Sequence, residues 1–86
     1  MREEHVGAVH AAKEKIGEIQ AILAGATDAA EEMIGVVAGA TGGENCGDPS
    51  GRGAFERAAR VPDLINDVYA TLAETVNELD AYLLVI

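Results

Sequence analysis

Aromatic, sulfur-containing and basic residues are all scarce in this chain of 86 residues. There is no Trp, and the aromatic residues are Phe55, Tyr69 and Tyr82. A core must therefore be built from Ala, Val, Ile and Leu, although a domain of this size already buries a low fraction of its surface. The composition is a weak basis for a stable monomer.

Positive charge is also scarce, because six basic residues stand against fifteen acidic ones and the formal net charge is −9. Such a surface repels the phosphates of nucleic acids and of anionic membranes, so we expect neither as a partner. The chain from Val61 onward has no basic residue at all. We interpret the acidic residues there as a solvated face, and a face for a cation or a basic partner is the alternative.

Residues that carry chemistry are few and badly placed. The single cysteine, Cys46, excludes an intrachain disulfide and a cysteine-based zinc site. His5 and His10 are five residues apart, so they do not share a helical face, and no Glu-x-x-His pair of a di-iron bundle occurs. No phosphate-binding glycine motif is present either. We therefore predict no catalytic residue, no cofactor and no metal site.

Long apolar runs are missing as well. None approaches the 18 or more residues that suggest a membrane span, and the chain opens on polar residues rather than on a basic and apolar leader. A cytoplasmic location is the expectation, and export by a route that uses no cleaved leader is the alternative.

What the chain does have is an apolar seam at spacings of three and four. Its positions are Val9, Ala12, Ile16, Ile19, Leu23, Ala26, Ala30, Met33, Val37 and Ala40. A repeat of 3.5 residues is typical of a helix packed on a partner helix, so we predict a helix over about 3–41. Five glycines fall away from this seam, and each costs about 0.8–1 kcal/mol relative to alanine. We interpret them as part of a solvated face, with a close-packing face of small residues as the alternative.

Five glycines and one proline between Thr41 and Gly53 predict a loop over about 42–52. Gly42 or Gly43 can end the first helix in a left-handed conformation. Asp48 or Ser50 can cap the second helix.

A second helix is predicted over about 53–84. Its seam comprises Ala58, Val61, Ile65, Val68, Leu72, Thr75, Leu79, Tyr82 and Ile86. Pro62 falls inside it and predicts a kink or a local break, because proline removes a helical hydrogen bond.

Together the two helices predict an all-α antiparallel hairpin that forms a single domain over residues 1–86. With the turn near residue 47, Lys13 and Lys15 fall opposite Glu78 and Asp80. Exposed pairs of this kind contribute about 0–1 kcal/mol each, so they indicate register more than stability.

Both apolar stripes are wider than one hairpin covers, and the chain ends on the apolar run 82–86. We therefore predict that two hairpins form a four-helix bundle, as a homodimer or as a heterodimer with a similar hairpin. A self-contained hairpin whose bent second helix covers the first is the alternative. The predicted interface residues are Val9, Ile16, Ile19, Leu23, Met33, Val37, Ile65, Val68, Leu72, Leu79, Tyr82 and Ile86.

In size, topology and turn position the chain resembles the small helical-hairpin substrates of type VII secretion, the Trp-x-Gly family. The motifs of that family are absent: the turn 42–47 has no Trp, and neither tyrosine is followed four residues later by an acid. The resemblance implies a small secreted hairpin and assigns a role to no residue. The chain also resembles, more loosely, small uncharacterised actinobacterial helical proteins.

These observations favour a non-enzymatic protein-interaction module. A secreted hairpin of the type VII kind is the first alternative. A small-molecule-binding accessory protein of a biosynthetic pathway is the second, although Thr75 and the hydroxyl of Tyr82 are the only polar groups in the seams.

Overall fold

The chain folds as a helical hairpin in a computed structural model that describes residues 2–86 and leaves Met1 outside the described part. Helix α1 spans Arg2–Thr41 and helix α2 spans Pro49–Val85, with a short 3-10 helix, Gly43–Asn45, between them. The hairpin is 62 Å long, close to the length of a 40-residue helix at about 1.5 Å per residue. The predicted all-α hairpin is confirmed.

Helix α1 ends where two glycines adopt a backbone that other residues avoid. Gly42 has φ +89° and Gly43 has φ +65°. The Gly42 amide donates to the Ala38 carbonyl at 2.8 Å, and the Gly43 amide donates to Thr41 Oγ1 at 3.2 Å. The predicted glycine end of the first helix is therefore present.

Helix α2 begins earlier than the predicted start near residue 53. Asp48 Oδ1 accepts hydrogen bonds from the amides of Ser50 at 2.7 Å and of Gly51 at 3.3 Å, which caps the helix. Pro49 follows at a position where its fixed φ suits the first turn. The glycine-rich residues 51–53 directly follow this cap and are part of the helix. Of the kink or local break predicted at Pro62, the break is absent, since α2 continues through this residue as one helix. The kink stays a prediction.

The hairpin buries few side chains. Val9, Ile16, Ala30 and Ala58 form its buried core, and each is still 6–8% exposed. The radius of gyration is 19.0 Å, against about 12 Å for a compact domain of this length. Most of the apolar surface in the helices is therefore only half covered or exposed.

Most of the covered positions in the two helices follow a heptad, which we call the hairpin seam, although Ala26, Met33 and Val61 are half-buried beside it. In α1 it comprises Val9, Lys13, Ile16, Gln20, Leu23, Thr27, Ala30, Ile34, Val37 and Thr41. In α2 it comprises Ala58, Pro62, Ile65, Tyr69, Leu72, Val76, Leu79, Leu83 and Ile86, of which Tyr69 alone stays 45% exposed.

The hairpin seam shares only every second position with the seam predicted from the sequence. Ile19, Val68 and Tyr82 belong to the predicted seam but are 43%, 49% and 43% exposed. Their places in the hairpin are taken by residues one position later in the chain, such as Gln20. On a helix with 3.5 residues per turn, this difference is a rotation of about 50°.

Candidate interaction face

The two sides of the hairpin are defined by position relative to the hairpin seam. Residues that directly follow a seam position lie on one side in both helices. Lys13 Nζ donates to Asp80 Oδ1 at 2.6 Å there, and Asp80 follows Leu79. A groove on the same side has walls that include Ala24 and Asn66, which follow Leu23 and Ile65. Residues that directly precede a seam position must then lie together on the other side of the hairpin.

The side formed by the preceding residues is apolar. Of the nine large apolar side chains that are exposed within residues 2–86, seven directly precede a seam position. We call them the apolar face: Ile19, Ile22 and Val36 from α1, and Leu64, Val68, Tyr82 and Val85 from α2. Ile22, Val36 and Val85 are 70%, 72% and 79% exposed. Large exposed apolar patches are typical of contact sites in proteins, so this face is the candidate interaction surface.

Between the large residues, the apolar face carries small ones. Ala12, Ala26 and Ala29 precede seam positions in α1, and Thr71 and Thr75 do so in α2. The two threonine hydroxyls donate to helix carbonyls four residues earlier, at 2.9 and 2.8 Å. Both hydroxyl donors are therefore satisfied inside the helix, so these threonines need no polar donor partner on another molecule.

The opposite side is acidic and lined by small residues. Glu14, Asp28, Glu31, Asp63 and Asp80 follow seam positions there. The groove on this side has a volume of about 370 Å³. One of its polar groups, the Thr27 hydroxyl, already donates to the Leu23 carbonyl at 3.1 Å. This groove is where the small-molecule alternative would place a ligand.

The predicted interface residues divide between the hairpin seam and the apolar face. Val9 and Ile16 are buried inside the hairpin, and Ile19, Val68 and Tyr82 lie on the apolar face. The other predicted residues are half-buried: Leu23, Met33, Val37, Ile65, Leu72, Leu79 and Ile86. Their role in an interface stays a prediction.

Four residues of the apolar face were missing from the predicted interface: Ile22, Val36, Leu64 and Val85. The width of the apolar stripe was a signal for the first three, because they lie beside the predicted seam. Only the position of the hairpin seam shows that they share one side with residues of the other helix.

The turn holds Cys46 in a half-buried position. Arg52 Nη1 donates to the Cys46 carbonyl at 2.7 Å, and Gly51 leaves room for the cysteine Sγ. His5 and His10 are exposed on α1. Residues 2–86 bring together no three His, Cys, Asp or Glu side chains in a group that could hold a metal ion.

A lysine expected to face α2 makes a local contact instead. Lys15 Nζ lies 3.4 Å from Glu18 Oε2, and both side chains are well exposed. The Lys13–Asp80 pair, in contrast, joins the two helices in the predicted register. At the open end of the hairpin, Arg2 Nε donates to the main-chain oxygen of Ile86.

Across the described part of the chain, neither helix combines the length and the apolar character needed to cross a membrane. No family model, curated protein or solved structure matches this chain.

Proposed function

We propose that this protein is a non-enzymatic interaction module that binds another helical hairpin through its apolar face. The supporting observation is the placement of the exposed large apolar side chains, seven of nine of which share one side of the hairpin. Packing that side on a second hairpin produces a four-helix bundle.

The accessible surface of the chain supports a missing partner. It amounts to 5986 Å², whereas a compact monomer of 8.9 kDa exposes about 4,800 Å². The excess is about 1,200 Å², and a standard protein interface covers about 800 Å² on each partner. The hairpin therefore exposes enough surface for one full interface beyond what a self-contained protein of its mass would expose.

The direction of the predicted seam supports the same arrangement. In a four-helix bundle, each helix has one neighbour at its side and a second at a right angle, so the bundle interior lies between them. The predicted seam is rotated by about 50° from the hairpin seam, toward the apolar face, in both helices. Each helix thus directs its apolar residues toward a bundle interior that the hairpin alone does not form.

The test is site-specific photo-crosslinking in the cells that produce the protein. A photoreactive amino acid replaces Ile22 on the apolar face or, as the matched control, Ala21, which is exposed one position earlier. We expect a covalent protein adduct from the first position and none from the second. The adduct at position 22 should disappear when Val68→Glu places a charge on the same face in the other helix.

Adducts of equal yield from both positions, or an adduct that survives Val68→Glu, would show that the apolar face is not the binding surface. Purified variants should keep the helical circular dichroism of the parent chain. This control separates loss of binding from loss of folding.

A further inference from the structure

We infer that the partner is a second copy of this chain, related by a two-fold axis parallel to the helices, with both turns at the same end. Helix α1 of each copy then packs on α2 of the other. This inference rests on the proposed function, because it assigns an occupant to the same apolar face.

The register of the contact follows from the hairpin itself. The Lys13–Asp80 ion pair shows that α1 and α2 positions whose numbers sum to about 93 lie at the same height. A two-fold axis along the helices preserves height, so the same sum relates α1 of one copy to α2 of the other. Each residue of the apolar face then has one defined opposite position.

The opposite positions are complementary in size. Over residues 12–29 of α1 and 64–82 of α2, a small residue of one copy lies over a large residue of the other, as close packing requires. The pairs are Ala12 with the partner's Tyr82, Ile19 with the partner's Thr75, Ile22 with the partner's Thr71, Ala26 with the partner's Val68, and Ala29 with the partner's Leu64. Toward the turn, Met33 lies over the partner's Val61 and Val36 lies over the partner's Arg57, so the two sides are not matched in size there.

The opposite positions are complementary in charge as well. Lys15 and Glu78 both precede a seam position, so both lie on the apolar face, among its alanine, threonine and large apolar residues. Their numbers sum to 93, the same sum as in the Lys13–Asp80 pair. Each lysine therefore meets the partner's Glu78, and the dimer contains this pair twice.

A two-fold axis perpendicular to the helices places the turns at opposite ends and fits this surface poorly. It packs α1 on α1 and α2 on α2. When the two hairpins overlap along their full length, so that the axis passes near residues 22 and 71, Lys15 lies over the partner's Ala29 and Glu78 lies over the partner's Leu64. Both charges then face apolar groups without a counter-ion. Desolvating unpaired charges is unfavourable, and this arrangement is disfavoured for that reason.

The distance between the turns of the two copies distinguishes the two arrangements. The turns lie side by side when the axis is parallel to the helices, and they lie a full hairpin length apart when it is perpendicular. The experiment uses the full chain with Cys46→Ser and Asn45→Cys, since Asn45 is exposed in the turn. A spin label on the new thiol reports the distance between the two turns by pulsed electron resonance, after light scattering has measured the mass in reductant.

We expect a dimer with a label separation within about 25 Å, because neighbouring helices in a bundle pack 8–10 Å apart. A separation near the 62 Å length of the hairpin would overturn the arrangement. A helical monomer at tens of micromolar concentration would overturn the assignment of a second copy. In that case, a photo-adduct from position 22 with a different protein would leave the proposed function standing.

A charge exchange tests the register independently of the label. Lys15→Glu alone and Glu78→Lys alone should each weaken dimerisation about tenfold, because each places like charges opposite each other twice. The double variant should regain most of the parent affinity. As the matched control, Glu32→Lys changes an exposed charge of α1 outside the apolar face and should leave the affinity unchanged. Additive losses in the double variant would contradict the Lys15–Glu78 pairing.

Discussion

Two glycines in the middle of α1 offer a direct test of how the outer side of the hairpin is used. Gly25 and Gly35 lie inside the helix, are exposed, and have open space where a Cβ atom would be added. Neither precedes a seam position, so neither belongs to the apolar face. If their side of the helix is solvated, replacing them with alanine should stabilise the protein.

The expected gain follows from helix propensity. Alanine is favoured over glycine in a helix interior by about 0.8–1 kcal/mol. The two positions are ten residues apart, about 15 Å along the axis, so their effects should add. The double variant Gly25→Ala, Gly35→Ala should therefore raise the free energy of unfolding by about 2 kcal/mol.

The assay is urea unfolding followed by circular dichroism at one fixed protein concentration, because association couples to stability. Gly42→Ala is the control of opposite sign. Gly42 has φ +89°, a conformation that alanine adopts only with strain, so this variant should lose stability. If the double variant is neutral or less stable than the parent, the glycines form a close-packed contact surface and the solvated interpretation is wrong.

Three further substitutions test the turn and the second helix in the same assay. Asp48→Ala should cost about 1 kcal/mol by removing the cap of α2, and Asp48→Asn should retain most of it. Gly51→Ala places a Cβ atom 2.5 Å from the Cys46 Sγ. Its effect on the free energy of unfolding should therefore be less favourable by about 1 kcal/mol in the parent chain than in a chain that already carries Cys46→Ala. Pro62→Ala should stabilise by about 1–3 kcal/mol, because it restores an amide that can donate to the Ala58 carbonyl. Unchanged stability of Asp48→Ala or of Pro62→Ala would contradict the contact that the substitution removes or restores. An effect of Gly51→Ala that is the same with and without Cys46→Ala would contradict the close approach of residue 51 to the cysteine Sγ.

The sequence predicted the secondary structure and the topology because each signal is local. Glycine pairs end helices, Asp48 caps one, and a repeat of three and four defines a packed face. The Lys13–Asp80 pair also followed from the position of the turn alone. The start of α2 was predicted too late because the glycines of residues 51–53 are typical of a loop. Composition alone does not show that a capped first turn can include such weak helix formers.

The direction of packing was harder to predict than its period. Lys13, Gln20 and Thr27 lie in the hairpin seam although they are polar, and the apolar Ile19 and Ile22 are exposed. An apolar repeat records the sum of all surfaces that a helix buries. It does not say which part is buried within one chain and which part is buried between chains, so the two seams could be separated only with the hairpin in view.

That separation explains why polar residues occupy the hairpin seam. The hairpin seam of a helix consists of two rows of residues, one on the side of the apolar face and one on the acidic side. A helix that contacted only its partner in the hairpin would be expected to carry apolar residues in both rows. Here one row holds Lys13, Gln20 and Thr27, whose long or hydrogen-bonded side chains cover the seam from its acidic side. The apolar row lies on the other side, toward the apolar face. In α2 the corresponding places hold Pro62, Val76 and Leu83, so the polar row of the seam belongs to α1 alone. The patterning of α1 therefore supports the proposed interior shared by four helices, while α2 is apolar in both rows of its seam.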